Sequence, residues 1–213
     1  MHWRRWFAQN RQDPPTRLTE QLRREICSSF DRESRKFPVT IEPWRMPHGR
    51  LLLETLGDLA GKRVLDVGCG TGRFARLIAE RHPSALVWGL DISQKMLRRV
   101  PEHIYSCAGS MTELPFRDEC FDAVYAIESL EHAVEIDLAI RELCRVVKSG
   151  GDIVIIDKNA EEAGRFKVPY WEKWFAQAEL EELLRRHSSR VVSQFLPHVA
   201  PGDRLFIAWL ARK

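Results

Sequence analysis

The chain has 213 residues, 44% of them hydrophobic and 30% charged, which predicts a single soluble domain that can bury a full core. Its net charge of +3 is too small to argue for nucleic-acid binding. No apolar run approaches ~18 residues and no signal peptide is visible, so neither a membrane span nor a leader is expected. The five cysteines contain no Cys-x-x-Cys pair. That spacing argues against a zinc knuckle or a disulfide framework and favours a reducing cytoplasm.

The N-terminal part of the chain lies outside the later alternation of strands and helices. Residues 1–16 are basic and aromatic and can contact a membrane surface or a partner, or can pack back on the domain. Residues 17–37 carry one apolar stripe at helical spacing, formed by Leu18, Leu22, Ile26 and Phe30. Another helix is expected to begin at Arg50. We therefore assign residues 1–49 to an arm and a cap helix, and residues 50–213 to the main domain.

From residue 62 onward, short apolar runs alternate with amphipathic segments. Strands are predicted at residues 63–67, 86–90, 103–107, 121–126 and 151–156. Helices are predicted at residues 72–81, 93–99, 135–147 and 176–187. A turn at Ser149-Gly-Gly151 is expected to lead into the fifth strand, and two last segments, 190–196 and 205–210, predict a terminal hairpin. Such alternation is typical of a mostly parallel sheet with helices on both faces.

The first predicted strand runs into a glycine loop, Asp66-Val-Gly-Cys-Gly-Thr-Gly72, and a helix follows. Glycines allow a ligand to approach the backbone closely, and the helix N-terminus offers free N–H groups. The spacing differs from the G-x-G-x-x-G of dinucleotide sites, and the Asp66 carboxylate suits a cationic ligand better than a pyrophosphate. A second carboxylate, Asp91, ends the next strand, where such a sheet binds a ribose diol.

Together, D-x-G-x-G-x-G and Asp91 resemble the class I S-adenosylmethionine (SAM)-dependent methyltransferases. The stretch Gly109–Phe116 resembles the ubiquinone-biosynthesis-like (methyltransferase type 11) branch. The resemblance covers about residues 50–213 and implies a Rossmann-like α/β fold. In this fold a seven-stranded, mostly parallel sheet ends in an antiparallel strand pair, with helices on both faces. It also implies SAM as methyl donor and S-adenosylhomocysteine (SAH) as product.

The activity expected from the resemblance is methyl transfer to a small-molecule acceptor, at oxygen. The alternatives are an RNA or protein methyltransferase and a methyltransferase-like protein that binds SAM without catalysis. An NAD-linked oxidoreductase is disfavoured by the glycine spacing.

The resemblance gives each cofactor residue a role. Asp66 would hold the SAM amino group, directly or through water, and Asp91 would accept hydrogen bonds from both ribose hydroxyls. Ile92 would cover one face of the adenine. The backbone that passes beside the amino-acid portion belongs to Gly68, Cys69 and Gly70.

Four further positions complete the expected cofactor site. Ser110 stands where relatives carry an acidic residue for the adenine amino group, and its hydroxyl can accept one hydrogen bond. The Met111 N–H can meet a ring nitrogen, and Ile127 and Glu128 would lie under the methionine portion. Arg50 precedes the loop by about the distance at which some relatives bind the SAM carboxylate, and it can equally be a surface arginine.

The chemistry is expected just after the fourth strand. Methyl transfer from a sulfonium needs an aligned nucleophile and, where necessary, a base that takes its proton. If the segment is helical, Glu128, Glu131 and His132 share one face, where they can bind a divalent cation or orient His132 as the base. The E-x-x-E-H string resembles metal-dependent O-methyltransferases of quinone biosynthesis and small-RNA 2′-O-methyltransferases. Asp157, after the fifth strand, can orient His132 or cap a turn.

Overall fold

The computed structural model describes residues 14–42, 45–197 and 202–213. The predicted contact of the N-terminal arm therefore lies largely outside the described residues. The strands are β1 (Arg63–Val67), β2 (Leu86–Asp91), β3 (Tyr105–Ala108), β4 (Phe121–Ile127), β5 (Val147–Lys158), β6 (Arg190–Leu196) and β7 (Phe206–Arg212). The helices are α1 (Glu20–Glu33), α2 (Met46–Leu56), α3 (Arg73–Arg81), α4 (Gln94–Leu97), α5 (Ile136–Val146) and α6 (Gln177–Arg185).

The strands form one seven-stranded sheet in the order β3-β2-β1-β4-β5-β7-β6. Strands β1 to β5 pair in parallel, whereas β7 runs antiparallel to both β5 and β6. The predicted fold class, with its antiparallel terminal pair, is confirmed. No helix in the described part of the chain combines the length and hydropathy that crossing a bilayer requires.

An apolar layer is buried on each face of the sheet. Val124 and Ile153 pack in the layer that contains α5 and α6, and their neighbours Tyr125 and Val154 pack in the layer with α2 and α3. Successive side chains of a strand point to opposite faces, so strands covered on both sides need apolar residues at nearly every position. This requirement explains the continuous apolar runs of β4 and β5.

Among the boundaries that differ from the sequence expectations, two have a clear physical reason. Helix α2 begins at Met46 rather than Arg50, since Pro47 falls in the first turn, where a missing N–H is tolerated. The boundary placed between residues 49 and 50 thus falls inside a continuous helix that packs on β5. Strand β5 begins at Val147, so the expected glycine turn lies within the strand. The register with β4 shifts there, and a Cβ at Gly151 would lie 2.7 Å from the Asp122 carbonyl oxygen.

Helix α1 lies over the carboxyl ends of the central strands. Its N-cap is Thr19, whose hydroxyl accepts a hydrogen bond from the Leu22 N–H at 3.2 Å. The apolar stripe of the helix, with Leu22 and Ile26 buried, packs against Val134 and Trp171. At its other end, the Asp31 carboxylate accepts a hydrogen bond from the Ser93 hydroxyl at 2.6 Å. Contacts at both ends of the helix therefore fix it over the edge of the sheet where parallel strands end.

Candidate active site

A cavity opens beneath α1 at the carboxyl ends of β1, β2 and β4. Parallel sheets bind ligands at this edge, because the loops that follow the strands diverge there. All predicted cofactor residues except one line the cavity: Asp66, Gly68, Cys69, Gly70, Asp91, Ile92, Ser110, Met111, Ile127 and Glu128. The exception is Arg50, which is exposed on α2.

The glycine loop has the backbone that its sequence demands. Gly68 has φ +76° and Gly70 has φ +55°, a region that side chains strongly disfavour. A Cβ at Gly68 would in addition collide with the Ser129 side chain. Gly72, at φ +78°, immediately precedes α3. The loop therefore presents bare backbone to the cavity and leads directly into a helix N-terminus.

The Asp91 carboxylate is held in place by backbone N–H groups. One oxygen accepts a hydrogen bond from Gly70 and the other from Ser93, both at 2.8 Å. Burial raises the pKa of this carboxyl, and the two backbone bonds oppose that shift. Each carboxylate oxygen can accept more than one hydrogen bond, so the side chain can still bind a diol. Asp91 is thus oriented before any ligand arrives.

Asp66 is the least satisfied acidic group of the cavity. Its side chain is 2% exposed, and its Oδ2 has no hydrogen-bond partner among the described residues. Burial raises the pKa of this carboxyl to about 8. A nearby cation would favour its ionised form and satisfy the free oxygen. The site therefore fits the ammonium group of an amino-acid moiety such as that of SAM.

Glu128 is bound by two arginines. Its carboxylate pairs with Arg45 at 2.5 Å and with Arg73 at 3.1 Å, and Glu42 pairs with both arginines at 3.1 and 3.3 Å. Burial would raise the pKa of Glu128, but the two arginines outweigh it and lower the pKa to about 2. The backbone of Glu128 has φ +52°, which is uncommon for a residue other than glycine. Its carboxylate is therefore ionised and firmly held.

These placements correct two sequence expectations. Glu128 does not share a helical face with Glu131 and His132, because the 3-10 turn Leu130–His132 starts after it. The arginine at the cavity is not Arg50 but Arg73, the first residue of α3. Its place directly after the glycine loop was the available sequence signal.

His132 lines the cavity and is flanked by two carboxylates. Its Nε2 lies 3.4 Å from Glu131 Oε1, and its Nδ1 lies 3.8 Å from Glu172 Oε2. The ring of Phe30, from α1, packs edge-on against the imidazole with ring centroids 4.9 Å apart. Glu131, His132 and Glu172 could each offer one ligand atom to a metal ion, all within 4.8 Å of one another. Glu172 takes the place that the sequence analysis gave to Glu128.

Asp157 binds the backbone of Glu131 rather than pairing with His132. It lies within β5, fully buried, and accepts hydrogen bonds from the backbone N–H of Glu131 at 3.0 Å and of Lys158 at 2.9 Å. Burial, followed by the charge of Glu131, raises the pKa of Asp157 well above its ordinary value. Within the described residues no hydrogen bond joins Asp157 to His132. The expected His132–Asp157 pair is therefore replaced by a contact through Glu131.

Known proteins resemble the chain in sequence and in fold. The family described as "Methyltransferase domain" matches residues 65–155. A demethylmenaquinone methyltransferase of Renibacterium salmoninarum is 34% identical over 173 residues, covering 78% of this chain and 71% of that protein. A fatty-acid O-methyltransferase of Mycolicibacterium smegmatis is 34% identical over 134 residues, covering 61% of this chain and 47% of that protein. The solved structure of the [4+2]-cyclase SpnF has a TM-score of 0.72 at 21% identity and covers 94% of this chain and 96% of its own.

Proposed function

The chain belongs to the class I SAM-dependent methyltransferases, and from that premise we propose that it transfers a methyl group to a small-molecule acceptor, at an oxygen atom. The observation that carries the proposal is His132, which faces the cavity between two carboxylates. A base at this place suits an acceptor whose hydroxyl must lose a proton. The similarity to an O-methyltransferase of fatty acids supports both the oxygen and the small size of the acceptor.

SAM would be held by the residues that line the cavity. Asp66 would bind its amino group and Asp91 its ribose hydroxyls, while Ser110 and Met111 would lie beside the adenine. The carboxylate of SAM would bind Arg73, since a guanidinium forks onto a carboxylate. When bound, SAM supplies an electrophilic methyl group on a sulfonium.

The cap helix supplies an apolar wall for the acceptor. Ile26 and Phe30 of α1 line the cavity, and Phe37 and Pro38 extend this wall beyond the helix. Val134 faces the same space after the 3-10 turn. An apolar wall favours an apolar acceptor and keeps water from the sulfonium. The acceptor class that fits best is an apolar small molecule with an ionisable hydroxyl or carboxyl group.

His132 would accept the acceptor's proton as the oxygen attacks. Glu131 and Glu172 lie beside the imidazole, and their negative charge stabilises the imidazolium that forms. The same three residues could instead hold a divalent cation that lowers the acceptor's own pKa. Lys158 donates a hydrogen bond to each of the two carboxylates. Because these carboxylates already bind a cation, the arrangement favours the version with His132 as the base over the version with a metal ion.

The acceptor class is tested by supplying the purified protein with SAM that carries a labelled methyl group. Small metabolites, RNA and protein from one extract are offered as separate fractions. We expect the label to enter the small-molecule fraction and to be retained in the product as a methyl ether or a methyl ester. Label confined to RNA or protein would contradict the proposal.

A further inference from the structure

We infer that the ammonium group of Lys158 takes the place of a divalent cation in the Glu131–His132–Glu172 cluster and positions both carboxylates around the histidine. The inference rests on the proposed function, in which His132 accepts the acceptor's proton. Lys158 does not line the cavity, so it acts through the two glutamates as a positioning residue.

The distances connect Lys158 to both sides of His132. Its Nζ donates hydrogen bonds to Glu131 Oε1 at 2.6 Å and to Glu172 Oε1 at 2.9 Å. The Glu131 oxygen that binds Lys158 is the one that lies 3.4 Å from His132 Nε2. On the other side, the second oxygen of Glu172 lies 3.8 Å from His132 Nδ1. One ammonium group therefore sets the orientation of the two carboxylates that flank the imidazole.

The three charged side chains that form the ion pairs beside His132 are shielded from water. The side chains of Glu131, Glu172 and Lys158 are 2%, 4% and 17% exposed. The Trp174 ring lies 5.5 Å from the Lys158 Nζ, and its own Nε1 donates to Glu172 at 2.7 Å. Burial alone would lower the pKa of Lys158, but Glu131 and Glu172 outweigh it and raise the pKa above its ordinary value. The lysine therefore remains a cation in place.

A purely structural ion pair is the simpler alternative, and two observations argue against it. Replacing buried ion pairs by apolar residues is often neutral or stabilising, so stability alone gives little reason for this cluster. In addition, the Glu131 oxygen that accepts the hydrogen bond from Lys158 is the same oxygen that faces His132 Nε2. The ion pair is therefore built directly beside the imidazole rather than away from the site.

A divalent cation held by these residues would share both carboxylates with Lys158. Carboxylate and imidazole ligands suit such an ion, but an ammonium already within 3 Å of one oxygen of each carboxylate would repel it. Removing the ammonium leaves two carboxylates and an imidazole close together with no cation among them. The structure therefore predicts that loss of Lys158 converts the cluster into a metal site.

The test compares Lys158→Ala with Lys148→Ala. Lys148 lies on the same strand, pairs with Asp122 at 2.6 Å and is far from the cluster in the chain, which makes it a matched control. Binding of Mn²⁺ to each protein, with SAH present, is followed by electron paramagnetic resonance. We expect Lys158→Ala to bind one Mn²⁺ per chain, and wild type and Lys148→Ala to bind none at micromolar concentration. Adding Glu172→Gln to Lys158→Ala should abolish this binding.

Kinetics give a second readout. We expect kcat of Lys158→Ala to fall at least tenfold in EDTA and to rise again with Mn²⁺, while SAH affinity stays unchanged. Stoichiometric Mn²⁺ binding to wild type that Glu131→Gln removes would overturn the inference, and so would an unaltered kcat without metal binding in the folded variant. If Lys158→Ala does not fold, Mn²⁺ binding to the wild type still tests whether the cluster holds a metal, and Lys158→Met is used for the measurement of kcat. The Mn²⁺ measurement needs no turnover, so its outcome is separate from any failure of the proposed function.

Discussion

The carboxylate of Asp91 accepts a hydrogen bond from the backbone N–H of Gly70 at 2.8 Å. The residue proposed to bind the ribose therefore also fixes the glycine loop that would lie beside the methionine portion. Asp91→Ala removes the acceptor of two backbone N–H groups, that of Ser93, which is buried, and that of Gly70, which is partly buried. An unsatisfied buried donor costs about 1–3 kcal/mol.

Asp91→Ala is accordingly expected to weaken SAH binding by tenfold or more and to lower the free energy of unfolding of the ligand-free protein. Calorimetric titration with SAH and chemical denaturation measure the two effects. Asp58→Ala, which removes an exposed loop carboxylate, is the control. Unchanged SAH affinity in folded Asp91→Ala would refute the ribose assignment.

The raised pKa of Asp66 predicts how ligand binding depends on pH. The pKa is about 8 in the free protein, so the carboxyl is largely protonated at pH 6. The ligand's ammonium group favours the carboxylate, and binding must therefore release a proton below pH 8. Affinity for SAH should rise with pH between pH 6 and 7.5, by up to about tenfold per unit.

Calorimetric titrations with SAH in two buffers that differ in ionisation enthalpy measure the number of protons released on binding. We expect release of close to one proton at pH 6.5 in wild type and none in Asp66→Asn. Equal proton release by both proteins would show that Asp66 does not meet the amino group.

The Glu128 network predicts a stability that depends on acid pH. The folded-state pKa of about 2 lies below the ordinary 4.5, so the ionised group stabilises the fold above pH 4.5. This contribution is lost as the pH falls toward 2. Glu128→Gln should lower the free energy of unfolding by about 3 kcal/mol at pH 7, with a smaller difference from wild type near pH 2. Denaturation curves across this range, with exposed Glu54→Gln as control, check the trend; a difference independent of pH would contradict it.

The position of α1 over the cavity predicts how deletion of the N-terminal segment affects methyl transfer. Deleting residues 1–37 removes α1, its contacts with Trp171 and the ring that packs on His132. We expect the sheet to remain folded and methyl transfer to fall at least tenfold, because water then reaches the sulfonium. Deleting residues 1–13 alone is the matched control. Full activity of the longer deletion would show that α1 serves another purpose.

Much of the fold could be predicted because the sheet is covered on both faces. The apolar runs and the glycine loop identify β1 and β2 nearly to the residue. The early start of β5 could not be predicted, because a bulge at Gly150 and Gly151 has the same sequence signature as a turn. The start of α2 at Met46 could not be predicted either, because Pro47 is typical both of a break and of a first helical turn.

The candidate site could likewise be predicted only in part from the sequence. Asp66 and Asp91 lie at the carboxyl ends of β1 and β2, so topology alone brings them to the cavity. Glu172 reaches His132 and Lys158 only through the path of the segment between β5 and α6, and no sequence periodicity predicts such contacts. The positive φ of Glu128 turns it toward Arg45 and Arg73, which a helical interpretation of E-x-x-E-H could not show.

The proton-accepting role of His132 is the central claim, and one substitution tests it most directly. In His132→Ala, kcat for the labelled acceptor should fall on the order of a hundredfold or more, because a positioned general base contributes about that much. SAH affinity should stay nearly unchanged, and exposed His103→Ala should behave as wild type in both measurements. A folded His132→Ala protein that turns over at the wild-type rate would contradict the account and would mean that catalysis is by proximity alone.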